Sequence, residues 1–204
     1  MSAPATKEQL RSELREKRRA LDDGQRSTLS RAAVGRIWSR IQSLPAQTAV
    51  GAYRSLREEI QTDTLWDLCL AAGFTLYFPR VVDLKSRRMG WIPFRGAGSI
   101  DDGPWTKGAH GIPELQGPAA DIHAASFRLL FVPGVAFTPQ GARLGMGAGY
   151  YDRLNLEGGA ALSVGLAFDF QVIDSIPQDG WDRPVDWVVT DQREIRACRA
   201  DALP

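Results

Sequence analysis

Three short apolar runs constrain this 204-residue chain more than any other feature: Leu129–Val132 (LLFV), Leu162–Phe168 (LSVGLAF) and Trp187–Thr190 (WVVT). None alternates apolar with polar residues, as a strand with one wet face would. Such runs belong to strands buried on both sides, the habit of parallel sheets covered on each face by other elements. Thr48–Tyr53 (TAVGAY) and Phe74–Phe78 (FTLYF) read the same way, and Arg88–Ile92 reads as a short strand at an edge. Between them Thr62 caps a helix whose Leu65, Leu68, Cys69 and Ala72 share a face, and Gly73 stops it. Strands alternating with helices predict an α/β fold on a mostly parallel sheet with helices on both faces.

Two helices precede any strand. Thr6 with Gln9 forms a capping-box pattern opening a helix over about residues 7–21. Asp22 with Gln25 repeats that signal, and Leu29, Ala33, Ile37 and Ile41 then recur every fourth residue up to Pro45. Residues 95–118 are rich in Gly and Pro and weakly periodic, so they read as a long functional or mobile loop. With no internal repeat and no linker, residues 1–204 are expected to form one domain.

Composition excludes several classes. The hydrophobic fraction, 44%, is that of a globular protein rather than a disordered one. No apolar run is long enough to span a membrane. The charged first residues, MSAPATKEQLRSELREKRR, do not read as a secretory signal or an acid-poor transit peptide. Cys69 and Cys198 have no metal-like spacing, so neither a disulfide framework nor a structural zinc site is expected, and a reducing cytoplasm is. Residues 1–44 carry a net charge of +5 and the remainder −4. A basic segment on a mildly acidic body points to an anionic ligand or to a solvated helix face, rather than to a nucleic-acid coat.

The stretch 132–153, VPGVAFTPQGARLGMGAGYYDR, carries the chemistry. A buried strand ends at Pro133-Gly134, and Gly145, Gly147 and Gly149 precede a helix expected from Tyr150. Glycines let backbone N–H groups converge on an anion, a helix N-terminus adds positive potential, and Arg143 offers a bidentate contact. This is a phosphate cradle in type, although neither the P-loop nor the dinucleotide fingerprint. Asp152, in the first turn of that helix, and Asp182, in the loop before the last strand, suit a hard cation bridging phosphates. Each residue singly also suits a structural turn or a helix start.

As a whole the chain resembles the 5-formyltetrahydrofolate cyclo-ligase (5,10-methenyltetrahydrofolate synthetase) family. The resemblance rests on RLGMGAGYYDR at Arg143–Arg153 after FVPGVAF at Phe131–Phe137. It is supported by KEQLR at Lys7–Arg11, EIQT at Glu59–Thr62, FPR at Phe78–Arg80, HGIPE at His110–Glu114 and PQDGWDRPVD at Pro177–Asp186. It implies a three-layer α/β fold. It also implies a ligase that uses ATP, with Mg2+, to cyclise 5-formyltetrahydrofolate to 5,10-methenyltetrahydrofolate through a phosphorylated formyl group.

By the same resemblance ATP is bound by Lys7, Arg11 and the loop Arg143, Leu144, Gly145, Met146, Gly147, Ala148, Gly149, Tyr150 and Tyr151. Arg143 and Asp152 are the implied catalytic residues, and Asp152 with Asp182 the implied magnesium ligands. Arg54, Glu59 and His110 are implied to touch folate, with Glu59 accepting from the pterin. Lys7 and Arg11 are four apart and so share a helical face. The chain departs from relatives at Trp181, where bacterial members often have His. It departs also at Met146 and Ala148, where some have Arg or Lys, and at His110, where an aromatic residue can stand. The expected partners are ATP and 5-formyltetrahydrofolate, possible polyglutamyl forms included, with no nucleic acid and no membrane, and a monomer is expected. The carboxylates Asp152 and Asp182 disfavour a pure binding module, and the absence of an RNA-recognition motif disfavours an RNA binder.

Overall fold

A computed structural model describes residues 5–96, 98–108, 111–123, 126–154 and 161–197. Helix α1 (Lys7–Ala20) opens on the expected capping box: the Gln9 amide donates to Thr6 Oγ1 (3.2 Å) and the Thr6 amide to Gln9 Oε1 (2.8 Å). Asp22 and Gln25 repeat it at the start of α2 (Asp23–Ile41), so two capped helices precede β1 (Ala49–Gly51). The helix α3 (Asp63–Ala71) follows β1. Thr62 stands at its N-cap but does not cap it with its side chain. Its hydroxyl donates instead to the Tyr53 carbonyl (3.4 Å), which also accepts from Trp66 Nε1 (2.9 Å). This corrects the capping expectation. The backbone of Thr62 is helical (φ −101°, ψ −6°) rather than extended as in a capping residue, so its hydroxyl meets the Tyr53 carbonyl just beyond β1 and not the helix amides.

The sheet also contains β2 (Thr75–Asp83), β3 (Arg88–Pro93), β6 (Leu129–Phe131), β9 (Leu162–Ala167), β10 (Trp187–Thr190) and β11 (Glu194–Arg196), separated in sequence by two short pairs. Those pairs are β4 (Trp105–Lys107) with β5 (Pro113–Leu115), and β7 (Ala136–Phe137) with β8 (Arg143–Leu144). Strand order in the seven-stranded sheet is β11-β10-β9-β6-β1-β2-β3. Its five central strands are parallel, and β3 and β11 pair antiparallel at the two edges. β3 is the expected edge strand. β11 carries no apolar run and was not legible.

Both faces of the inner strands are dry, as their unalternating apolar runs require. Leu129 and Phe131 face α2 and α3 in one cluster with Ile37, Ile41, Leu65 and Trp66. Leu130 faces the opposite way, with Trp91, Phe127, Phe137 and Val188, under Tyr151 and Leu154. Trp66 meets Phe131 edge-on at 5.0 Å between ring centroids, a favoured aromatic geometry at the centre of the first cluster.

Two further expectations change. The described part of residues 95–118 is not a bare loop: it contains a 3-10 turn at Ile100–Asp102 and the antiparallel pair β4–β5. Isolated anchors rather than a periodic stripe hold the segment, because Trp105 packs edge-on against Phe78 (5.0 Å) and donates Nε1 to the Ile100 carbonyl (2.7 Å). The helix expected from Tyr150 is, among the described residues, a three-residue 3-10 turn at Tyr151–Arg153. One such turn does not align enough peptide dipoles to act as an anion-binding helix end. Among the described residues no helix is long and apolar enough to cross a membrane.

Candidate active site

The strand order places a topological switch point between β1 and β6. After β1 the chain moves to β2 on one side, and only later returns to β6 on the other. In open parallel sheets a crevice forms where strand order reverses, beyond the carboxyl ends. Here the residues following β1 (Tyr53, Arg54, Leu56 and Glu59) and those following β6 (Pro133 and Gly134) line a cavity of about 330 Å³. Phe78, Val81 and Met89 of the β2–β3 hairpin form one apolar wall, and Met146, Ala148, Tyr150 and Tyr151 form another. Volumes of roughly 300–1,000 Å³ are typical of small-molecule sites.

Glu59 is one of three carboxylates lining this cavity, with Glu114 and Asp152. It lies in the β1–α3 connection and is 7% exposed. Its Oε2 accepts from the Leu56 amide (2.9 Å), and Oε1 lies 3.7 Å from Arg18 Nη1. Burial raises its pKa above the ordinary glutamate value, and Arg18 only partly offsets this. Arg18 is itself 1% exposed and pairs with Glu58 at 3.0 Å. Glu58 also binds Arg15 and Arg19, and although burial opposes ionisation these three guanidiniums hold it below its usual range. A row of arginines on α1 thus braces the loop that carries Glu59. Arg54 is anchored by Asp101 (3.0 Å) and Asp63 (3.3 Å), with its guanidinium 4.8 Å above the Trp105 ring. Tyr53, at the back of the cavity, has its hydroxyl pKa pushed up by burial and by the neighbouring Glu59.

A second cavity, about 390 Å³, lies across a thin wall. Arg143, Gly145, Gly149 and Asp152 line both. Five basic side chains (Lys7, Arg11, Arg87, Arg143 and Arg153) face three acidic ones there (Asp152, Asp179 and Asp182). Lys7 and Arg11 reach it from one face of α1, as their spacing predicts. Lys7 Nζ binds Asp179 (2.8 Å) and Asp182, and Arg11 Nε donates to the Gly145 carbonyl (2.9 Å). Arg143 is buried in the dividing wall, where it pairs with Asp152 and donates to the Pro133 carbonyl (3.2 Å). Gly147 and Gly149 have φ of 103° and 72°, which other residues rarely adopt. The loop backbone therefore stays uncovered.

The implied residues divide between the two cavities. Lys7, Arg11, Leu144, Gly147 and Asp182 line the polar one, while Met146, Ala148, Tyr150, Tyr151, Arg54 and Glu59 line the apolar one. His110 lies outside the described residues. The sequence reading missed Tyr53, Arg87, Asp179 and Glu114. Glu114 lies within the HGIPE motif, and its Oε1 accepts from the Val81 amide (3.2 Å). Among the described residues no three His, Cys, Asp or Glu side chains converge as a metal cage. Asp152 and Asp182 nevertheless both open on the polar cavity, each neutralising a cation there. Two carboxylates on one polar cavity are a donor set that magnesium takes when substrate oxygens and water complete its shell. The residues fit that ion.

The model of the 5-formyltetrahydrofolate cyclo-ligase family matches residues 3–191. The chain belongs to this family. It is accordingly an enzyme, a ligase. A 5-formyltetrahydrofolate cyclo-ligase of Escherichia coli (strain K12) is 27% identical over 183 residues, covering 87% of this chain and 96% of the relative. One from Mycolicibacterium smegmatis is 29% identical over 202 residues, covering 97% and 100%. The solved structure of Aquifex aeolicus 5,10-methenyltetrahydrofolate synthetase is 30% identical and superposes with a TM-score of 0.72 over 97% of this chain and 96% of that one. The mostly parallel α/β fold is thus that of the cyclo-ligase family.

Proposed function

We propose that this chain converts 5-formyltetrahydrofolate to 5,10-methenyltetrahydrofolate, with ATP as the driving co-substrate and magnesium as the bound cation. The observation that carries this reading is the shared wall: one loop, with Arg143 and Asp152, forms a side of both the apolar cavity holding Glu59 and the cationic cavity holding Lys7 and Arg11. A flat heterocycle in the first and a triphosphate in the second would meet at that wall. Family membership and the names of the relatives support the same substrate.

The chemistry follows from what the substrate lacks. A formyl oxygen is a poor leaving group, so it attacks the γ-phosphorus and ADP departs, leaving an iminium phosphate. The N10 amine then closes on the formyl carbon, its proton is lost and phosphate leaves. This chain's part is positioning and charge. Glu59 accepts from the pterin amino and ring N–H groups and sets the ring plane. Tyr53, Val81 and Met89 exclude water from it. Lys7, Arg11 and the amides of Gly145–Gly149 hold the phosphates, and Arg143 stands at the wall where charge develops. Asp152 and Asp182 would hold magnesium, which when bound neutralises phosphate charge.

Protein mixed with 5-formyltetrahydrofolate, ATP and magnesium should give the near-ultraviolet absorbance of the conjugated methenyl product. Absorbance that grows without ATP, or no growth with all components present, would refute the reading.

A further inference from the structure

Gly145, Gly147 and Gly149 alternate along the loop, and a different arginine stands over each. Arg143 Nη1 lies 2.7 Å from where a β-carbon on Gly145 would be, Arg11 Cζ 3.6 Å from that of Gly147, and Arg87 Nη1 3.5 Å from that of Gly149. The three come from separate elements: β8, α1 and the turn between β2 and β3. Between Gly145 and Tyr150 the loop itself contributes only Met146 and Ala148, so every cation at its surface is imported.

The three differ in what already occupies them. Arg143 is paired with Asp152, and Arg11 is spent in part on the Gly145 carbonyl. Arg87 is exposed, has no carboxylate within ion-pair reach among the described residues, and faces the polar cavity. Its backbone is also unusual, with φ of 56°, in the left-handed region that glycine or asparagine adopts more readily. Strain alone implies nothing. Gln47, the other such residue described, uses its conformation to donate to the Gly73 carbonyl (2.7 Å) and lines neither cavity. At Arg87 the turn is shaped independently by Asp83, which accepts from the Lys85 amide (2.9 Å) and the Ser86 hydroxyl (2.6 Å). The turn thus holds an unpaired guanidinium over the loop without needing that side chain for its own fold.

We propose that Arg87 is a polyphosphate-binding residue, which reaches across from the β2–β3 turn to clamp the phosphate chain of the nucleotide against Gly149. The assignment deepens the reading of the cationic cavity as the ATP site and rests on it. A guanidinium matches two phosphate oxygens in a planar fork, which a lysine cannot reproduce.

The test is a calorimetric titration of the whole chain with inorganic tripolyphosphate plus magnesium, beside steady-state kinetics. Arg87→Asn suits the turn conformation, so its melting temperature should equal or exceed that of the wild type. Tripolyphosphate affinity should nevertheless fall about tenfold, the scale of one charge-assisted contact. The KM for ATP should rise similarly, with kcat at saturating ATP and the KM for 5-formyltetrahydrofolate little changed. Arg87→Lys should recover only part of the loss. Lys85→Ala, which removes an equal charge from the same turn but not from the cavity, should bind like the wild type. Equal binding by Arg87→Asn and wild type, an equal loss in Lys85→Ala, or a wild type that binds no tripolyphosphate would overturn the assignment. Tripolyphosphate binding that depends on Arg87 in a chain without ATP-dependent turnover would instead overturn the proposed reaction and leave the anion site standing.

Discussion

Lys7, in the first turn of α1, closes on Asp182, 175 positions later in the segment leading to β10. The contact ties the start of the chain to the end of the sheet and sits on the rim of the polar cavity. Burial disfavours charge on both partners, yet hydrogen bonds to Asp179 and Asp182 keep Lys7 above its usual value, and those from Lys7 and the Asp179 amide keep Asp182 below its own. Both stay ionised through the neutral range, and a ligand that enters must compete with this pairing or complete it.

Lys7→Met should therefore affect nucleotide binding more than folding. The pair is partly exposed, at 22% and 15% of the side chains, so its loss should cost no more than about 1 kcal/mol of stability, less in high salt. The KM for ATP should rise about tenfold, as for one lost charged contact. Steady-state kinetics beside urea denaturation separates the two. Loss of stability with an unchanged KM would make Lys7 a structural residue only.

Asp152→Asn tests the wall between the cavities. The amide oxygen can still accept from Arg143, so the fold should persist with a melting temperature within a few degrees of the wild type. On the proposed reaction a negative charge beside the phosphates is lost, and kcat should fall about 100-fold or more, the scale of a lost electrostatic contribution at a reacting centre. Asp152→Ala should also lose stability, because Arg143, 4% exposed at the side chain, would be left with a buried and unpaired charge. A rate for Asp152→Asn within twofold of the wild type would remove Asp152 from the reaction.

What could be read from the sequence follows from how local each signal is. Thr6-Gln9 and Asp22-Gln25 work within one turn of helix, and both boxes form. The runs at Leu129, Leu162 and Trp187 state their own burial, so the core of the sheet was legible. β11 was not, because Glu194–Arg196 has no apolar run and is made a strand by pairing with β10. Lys7 and Arg11 could be placed on one face by spacing. Arg87 could not, because nothing in its neighbourhood records that the β2–β3 turn folds over Gly149. Thr62 misled for a related reason: its helical backbone, which takes the hydroxyl to the Tyr53 carbonyl, is set by the connection after β1 and is not recorded in the residue type.

Gly165 offers a test of packing between the sheet and the β7–β8 pair. A β-carbon there would stand 2.3 Å from the Phe137 ring, which is fully buried. Gly165→Ala should destabilise by about 1–3 kcal/mol through overpacking, seen as a lower urea midpoint with an unchanged slope. Combining it with Phe137→Leu should recover part of that loss. No recovery would mean that the strain is taken up elsewhere.

The last prediction concerns Glu59. Glu59→Gln keeps the size of the side chain but replaces one acceptor with a donor, which leaves a substrate N–H facing an N–H. In a buried site this should cost about 1–3 kcal/mol, or roughly five- to 150-fold in folate affinity, with nucleotide affinity unchanged. The pH dependence has a defined sign. Burial raises the pKa of Glu59 above 4.5, against Arg18 and Arg15 on α1, with Glu58 adding to the rise and Tyr53 and Tyr151 close by. Folding therefore favours the protonated acid: the stability Glu59 contributes is present below pH 4.5 and is lost as pH rises through the folded value. Folate recognition runs the other way, since the acceptor pair exists only when the carboxylate is ionised. Wild-type folate affinity should thus weaken on acidification with a midpoint above the ordinary glutamate value. Arg18→Lys, which weakens the opposing cation, should move that midpoint higher still, while Glu59→Gln should abolish it. Titrating folate across the acid range in all three proteins measures each shift. A wild-type midpoint at or below 4.5, or the same profile in Glu59→Gln, would place the pterin against another residue.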